Sequence, residues 1–266
     1  MTEPPRSRSA QPRASVFAAL AVLVLYGGLI VSLAWFFDAE TLRASLASPR
    51  TFFSIQLSLV TATLSASLAV VVAIPAAYAL SRHRFVGREL VDAILEFPII
   101  VSPAALGAML LIFFNNPLGE WIQAHAMRFV FTVAGIVLAQ FVTVLGVAAR
   151  LLKTAFDEVP VELETVARTL GASPRHAFFT IALPLARRGL IAAFVLAWAK
   201  ALGEFGATIM VAGTMAMRTE TLPVAIFMRL ASADIEGTVA LILVLVVIGL
   251  TALYVAKRLL RKATHA

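Results

Sequence analysis

The sequence predicts an all-α integral membrane protein with six transmembrane helices. Three observations predict it. The 266 residues are 61% hydrophobic and only 14% charged, where a soluble domain is nearer half apolar and a quarter charged. Mean hydropathy is +0.92. Six apolar stretches reach the roughly 20 residues that a helix needs to cross a bilayer, and none shows the alternation of a barrel strand.

The stretches are Ser15–Phe37, Ser54–Leu80, Leu90–Phe114, Phe129–Leu152, Leu185–Ala212 and Gly237–Ala256. Each reads as a helix because a span in lipid must satisfy its own backbone hydrogen bonds. The first has a basic start and a Ser32-Leu33-Ala34 ending that imitates a secretory signal. Its length and its Trp35, Phe36 and Phe37 end instead suit a retained span with an interfacial belt. Residues 1–50 are thus expected to be a tail plus an additional first helix, residues 51–260 the main membrane domain, and residues 261–266 a tail.

Basic residues orient the chain. With the N-terminus inside, the inner segments hold sixteen of the 22 Lys and Arg, and the outer ones five, Arg43, Arg50, Arg128, Arg218 and Arg229. This asymmetry predicts cytoplasmic N- and C-termini in a multi-pass protein of a cytoplasmic membrane. The same distribution explains the +7 net charge without nucleic acid; membrane lipid is the expected surroundings. Cysteine is absent, which excludes disulfides and thiolate metal sites. His83, His125, His176 and His265 lack metal-ligand spacing. With no G-x-x-x-x-G-K-[ST] phosphate loop and no G-x-S-x-G elbow, no catalytic or metal site is expected, and no cofactor bound by this chain.

The segment between the fourth and fifth spans, about residues 157–184, is too patterned for a simple connection. Asp157, Glu158 and Pro160 suit a helix start. Val161, Leu163, Val166, Ala167 and Leu170 give a ragged apolar face, and Glu164 and Arg168 are spaced for an i,i+4 pair. Gly171 fits a stop that needs positive φ. Ser173 and Pro174 then cap and start a second helix. Phe178, Phe179, Ile181 and Leu183 form an apolar end that tucks under the bundle, and Pro184 closes it. One reading is an amphipathic connector on lipid headgroups; the other is a segment gripped by a partner.

Gly171, nine intervening residues and Ile181-Ala182-Leu183-Pro184 resemble the "EAA loop" of permease subunits in ATP-binding-cassette (ABC) importers. The runs VELETVARTLGASPRHAFFTIALPL, WAKALGEFGATIMVAG and RTETLPVAIF are similar to the molybdate permease branch, with sulfate and tungstate permeases as close relatives. EFPIIVSPAALGAMLL after RFVGRELVDAI adds to the likeness, which spans roughly Phe52 to Ala256 and is specific from Glu162 to Phe227. The chain departs from the motif at its opening: Thr165, Val166 and Ala167 stand at the Glu-Ala-Ala positions, with Glu164 one residue early. The resemblance implies a type I importer permease fold, with a coupling helix formed by Glu164, Ala167, Arg168, Gly171, Ala172, Ser173, Pro174, Ile181, Leu183 and Pro184. It implies three partners: a cytoplasmic ABC ATPase that hydrolyses ATP, an external oxyanion-binding protein, and a second permease copy. The implied cargo is molybdate or tungstate, with sulfate as the alternative.

For the path, Lys200, Glu204 and Thr208 share one face if the fifth helix is continuous. Lys200 and Glu204 either neutralise each other or line the path. Gly203 and Gly206 allow close approach or a kink at a gate. In the third span Pro98 and Pro103 free carbonyls, giving a static kink or a flexible lining, and Ser102 offers a hydroxyl. Outside, Leu222–Phe227 is too apolar for a solvated loop and reads as a re-entrant helix or a partner's seat. Trp121 and Arg229 are candidate contacts for the binding protein or interfacial anchors. A secondary transporter would show discontinuous helices in both halves, and a membrane enzyme a clustered catalytic set; the sequence displays neither.

Overall fold

The structure is a computed structural model that describes residues 11–262. Arg6, Arg8 and residues 263–266 lie outside the described residues, as do the side chains of Arg13, Lys257, Arg261 and Lys262. The described chain is helical: α1 (Gln11–Ser32), α2 (Ala39–Ala47), α3 (Pro49–Arg82), α4 (Arg88–Ile100), α5 (Pro103–Phe114), α6 (Pro117–His125), α7 (Val133–Asp157), α8 (Val161–Thr169), α9 (Pro174–Leu185), α10 (Arg187–Leu202), α11 (Gly206–Ala212), α12 (Leu222–Ala231) and α13 (Ile235–Lys262). Four helices are long and apolar enough to span singly, and the total reaches six if each of two bent pairs is one span.

The core is built on small residues. Ala62, Ala66, Ala69, Ala73 and Ala77 recur at three- and four-residue spacing along α3, and all are fully buried. That spacing keeps them on one face. They meet Ala148, Leu152 and Ala155 of α7 and Ala193, Ala197 and Ala201 of α10. Lipid tails are as apolar as leucine, so helices in a bilayer associate by close backbone approach rather than by hydrophobic exclusion. The α3–α7–α10 trio is the centre of the molecule. By contrast α1 has no buried residue across its apolar window.

Two expected spans are broken. The third is not a gently kinked helix: α4 and α5 meet at 110°. The break is at Val101 and Ser102, both extended, because proline disfavours the α conformation in the residue before it. Pro103 thus turns the chain, while Pro98 sits inside α4 without ending it. The expected fifth span is interrupted too. Its helix α10 ends at Leu202 and α11 restarts at Gly206. A further 68° bend separates α9 from α10, so the turn falls at Ala186, beyond Pro184 where the sequence placed it. A π turn at Phe178–Ala182 precedes it; Pro184 lacks the amide that would bond the Thr180 carbonyl in a regular helix.

Candidate functional site: a clamped connector and two abutting helix breaks

The connector between α7 and α10 has the expected helix–bend–helix course. Gly171 adopts φ +94°, a left-handed conformation that glycine takes without a Cβ penalty. The Ser173 hydroxyl accepts from the His176 amide at 3.2 Å, with Pro174 in the first turn. The orientation of α8 differs from expectation. Val161, Leu163, Val166 and Leu170 face outward, Leu170 at 83% exposure. The buried side belongs to Glu164, with Ala167 half-buried beside it. Of the expected apolar end, Phe178 packs against Tyr78 with ring centres 4.6 Å apart. Ile181 and Leu183 are half-buried, and Phe179 is exposed.

Glu164 does not pair with Arg168. Its Oε1 accepts from Arg82 Nε at 2.8 Å and its Oε2 from the Tyr78 hydroxyl at 2.5 Å. Both donors come from the last turns of α3. A helix turns about 100° per residue, so a glutamate one position early points away from the face that the motif position would occupy. Thr165, at that position, is exposed. Arg168 and Arg175 stand exposed and line a cavity of about 410 Å³ with Tyr78, Arg82 and His83.

The second cluster joins the two broken spans, and α11 packs against α5 and α7. A Cβ on Gly206 would lie 2.9 Å from the Ala104 nitrogen and 3.3 Å from Pro103 Cβ. A Cβ on Gly107 would lie 2.7 Å from the Ala207 Cα. Glycine is therefore required on both sides of this contact, and the two breaks abut. Gly203 is different: nothing would come nearer than 3.7 Å, so it ends α10 rather than permitting approach. The Ser102 hydroxyl is exposed, and its oxygen accepts from the Ala105 amide at 3.3 Å.

The common face expected for Lys200, Glu204 and Thr208 is lost with the helix break. Lys200 is exposed and makes no ion pair with Glu204 among the described residues. Glu204 is buried, and its Oε1 accepts from the Ala207 amide at 3.0 Å. Thr208 is fully buried, and its hydroxyl has no partner among the described residues.

The third cluster lies at the opposite end of α3. Arg50 forks onto Glu220, Nε to Oε2 at 2.7 Å and Nη2 to Oε1 at 2.6 Å. The Leu222 amide donates to the Ser58 hydroxyl at 2.7 Å, so the apolar Leu222–Phe227 run is a helix start seated on α3. Arg229 is engaged within the chain, donating to Ser45 at 3.1 Å and pairing with Asp234 at 3.4 Å. Trp121 is exposed and stacks on His125. Arg82, Tyr78, Arg50 and Glu220 were not singled out as site residues by sequence. The available signal was an arginine at each end of one long apolar helix.

The family model for the binding-protein-dependent transport system inner membrane component matches residues 69–265. The chain belongs to this family. Among its relatives, a molybdenum transport system permease protein of Haemophilus influenzae is 34% identical over 79% of this chain and 95% of its own. A sulfate transport system permease protein of Escherichia coli K12 is 30% identical over 90% and 87%. In fold, the permease is similar to a chain of a bacterial alginate ABC transporter crystallised with an alginate pentasaccharide-bound periplasmic protein. The TM-score is 0.76 over 96% of both chains, at 14% identity. The expected type I importer permease fold is thus the observed one, in a multi-pass membrane protein.

Proposed function

We propose that this permease moves a tetrahedral oxyanion, molybdate or tungstate, inward across the cytoplasmic membrane, driven by ATP hydrolysed on a separate ATPase subunit. The observation that carries the coupling is α8. Its apolar side chains point away from the bundle while its one buried carboxylate is held from behind. Exposed apolar residues on a polar connector mark a protein or membrane contact, and the likeness of this connector to importer coupling segments selects the protein. On this reading the Arg82 end of α3 is cytoplasmic, in keeping with the excess of basic residues there, and both termini are inside. The exposed side chains between Val161 and Pro184 meet the ATPase, while Glu164, turned the other way, holds α8 to α3; the Arg50 end faces an external binding protein. Two copies enclose the path, and the abutting breaks at Ser102–Pro103 and Gly203–Gly206, with Lys200, Glu204, Thr208 and Pro98 nearby, form the gate.

The molybdenum transport permease among its relatives supports the cargo. Sulfate is the second reading, favoured by the sulfate permease that covers 90% of this chain. The test is uptake by vesicles holding the permease with its ATPase and binding protein. ATP-dependent uptake of labelled molybdate, undiminished by excess sulfate, is expected. Competition by sulfate at equal concentration would favour the second reading, and uptake without the ATPase would overturn the coupling.

A further inference from the structure

Docking of α8 on a partner accounts for its outward face but not for the ionic contact behind it. Arg82 and Glu164 are among the most buried charges described, with side chains 6% and 9% exposed. Arg82 also donates from Nη2 to the Val159 carbonyl at 2.7 Å and from Nη1 to the Ser81 hydroxyl at 3.2 Å. Ser81 in turn donates to Asp157 at 2.5 Å. The last turn of α3 therefore grips the end of α7, the residue before Pro160 and the middle of α8 together. A buried ion pair is seldom more stable than apolar residues of the same volume, but it tolerates only one geometry and is costly to break on one side. A segment lying on headgroups has no use for such a constraint.

We propose that Arg82 and Tyr78 are positioning residues that make α8 and the end of α3 one mechanical unit throughout the transport cycle. This inference rests on the reading of α8 as the element moved by the ATPase. A displacement of α8 is then delivered into α3 instead of being absorbed by the connector. From Pro49 to Arg82 α3 is a single helix, and it packs directly on α7 and α10. The far end of α10 is the break beside Gly206. The clamp thus closes a chain of packed elements from the partner surface to the proposed gate.

The test uses the absence of cysteine. The double substitution Arg82→Cys and Glu164→Cys places two thiols at the clamp and nowhere else. In the full assembly with ATPase and binding protein, anion uptake per ATP hydrolysed is measured with the thiols free and then bridged by a short bifunctional methanethiosulfonate. With free thiols the ratio falls by about fivefold or more, the scale of a coupling energy between sites; bridging restores it. A free-thiol protein that couples normally would overturn the proposal. So would bridging that fails to raise the ratio or stops uptake, since the connector would then have to slide past α3. If the double variant does not assemble, Glu164→Gln is read instead: a lower ratio at unchanged ATPase rate supports the clamp, whereas an unchanged ratio, including one left by equal loss of both rates, counts against it. The unsubstituted assembly separates the two ideas. Absence of ATP-driven uptake there refutes the reading of α8 as a coupling element, while the clamp is judged only on the variants.

Discussion

The two ends of α3 carry the same contact in different surroundings. At each, an arginine of the helix meets a buried glutamate from a distant connecting segment. At the Arg82 end both side chains are buried, and Tyr78 occupies the second carboxylate oxygen. At the Arg50 end Glu220 is buried but the Arg50 side chain is 55% exposed. Exposed ion pairs contribute little and are screened by salt. Buried ones leave an uncompensated charge when one partner goes. Water therefore reaches the Arg50 contact from the arginine's side only, with Glu220 still dependent on its fork, whereas the Arg82 contact is closed on both sides and must move as a block. On the proposed reading, in which force enters at the Arg82 end and cargo at the Arg50 end, the two contacts have reason to differ in this way.

Three experiments probe the contrast. Gly171→Pro should have the largest effect. Proline fixes φ near −65° and removes the amide that Gly171 donates to the Arg168 carbonyl at 3.1 Å, so the bend after α8 cannot form. Uptake per ATP should fall by about tenfold or more, and normal coupled uptake would detach the connector from the mechanism. Next is Arg82→Ala, which strands Glu164; a loss of about 3–5 kcal/mol in unfolding stability is expected. Thermal unfolding in detergent measures it, and the loss should persist at high salt. Arg50→Ala also strands a buried carboxylate, Glu220, but water reaches the vacated site from the half-exposed Arg50 side, so its loss should be the smaller of the two and the difference from the unsubstituted protein should shrink as salt rises. Equal, salt-insensitive losses at the two ends would erase the distinction drawn between them.

Local physics made much of the connector legible in advance. The stop at Gly171 and the restart at Ser173-Pro174 depend on one residue's φ and one hydroxyl cap, and both are present. The departure at Glu164, one residue before the motif position, was also visible, but its consequence was not. An i,i+4 partner at Arg168 was the nearest candidate, worth only a few tenths of a kcal/mol. The actual partner is 82 residues away. Similarly, Lys200, Glu204 and Thr208 have helical spacing, yet that spacing means a shared face only while the helix runs on. The restart at Gly206 against Ala104 ends it.

The amino-acid order alone determined where the chain is apolar enough to cross a bilayer, which connector is patterned, and where that connector bends. These follow from hydrophobic run length, side-chain caps and backbone sterics, all of which act within a few residues. Tertiary structure decided which way α8 faces, which arginine holds Glu164, and that the breaks in two separate spans touch. Those outcomes depend on desolvation and on glycine-permitted contact between segments far apart in sequence, and only the packed helices bring such groups within reach.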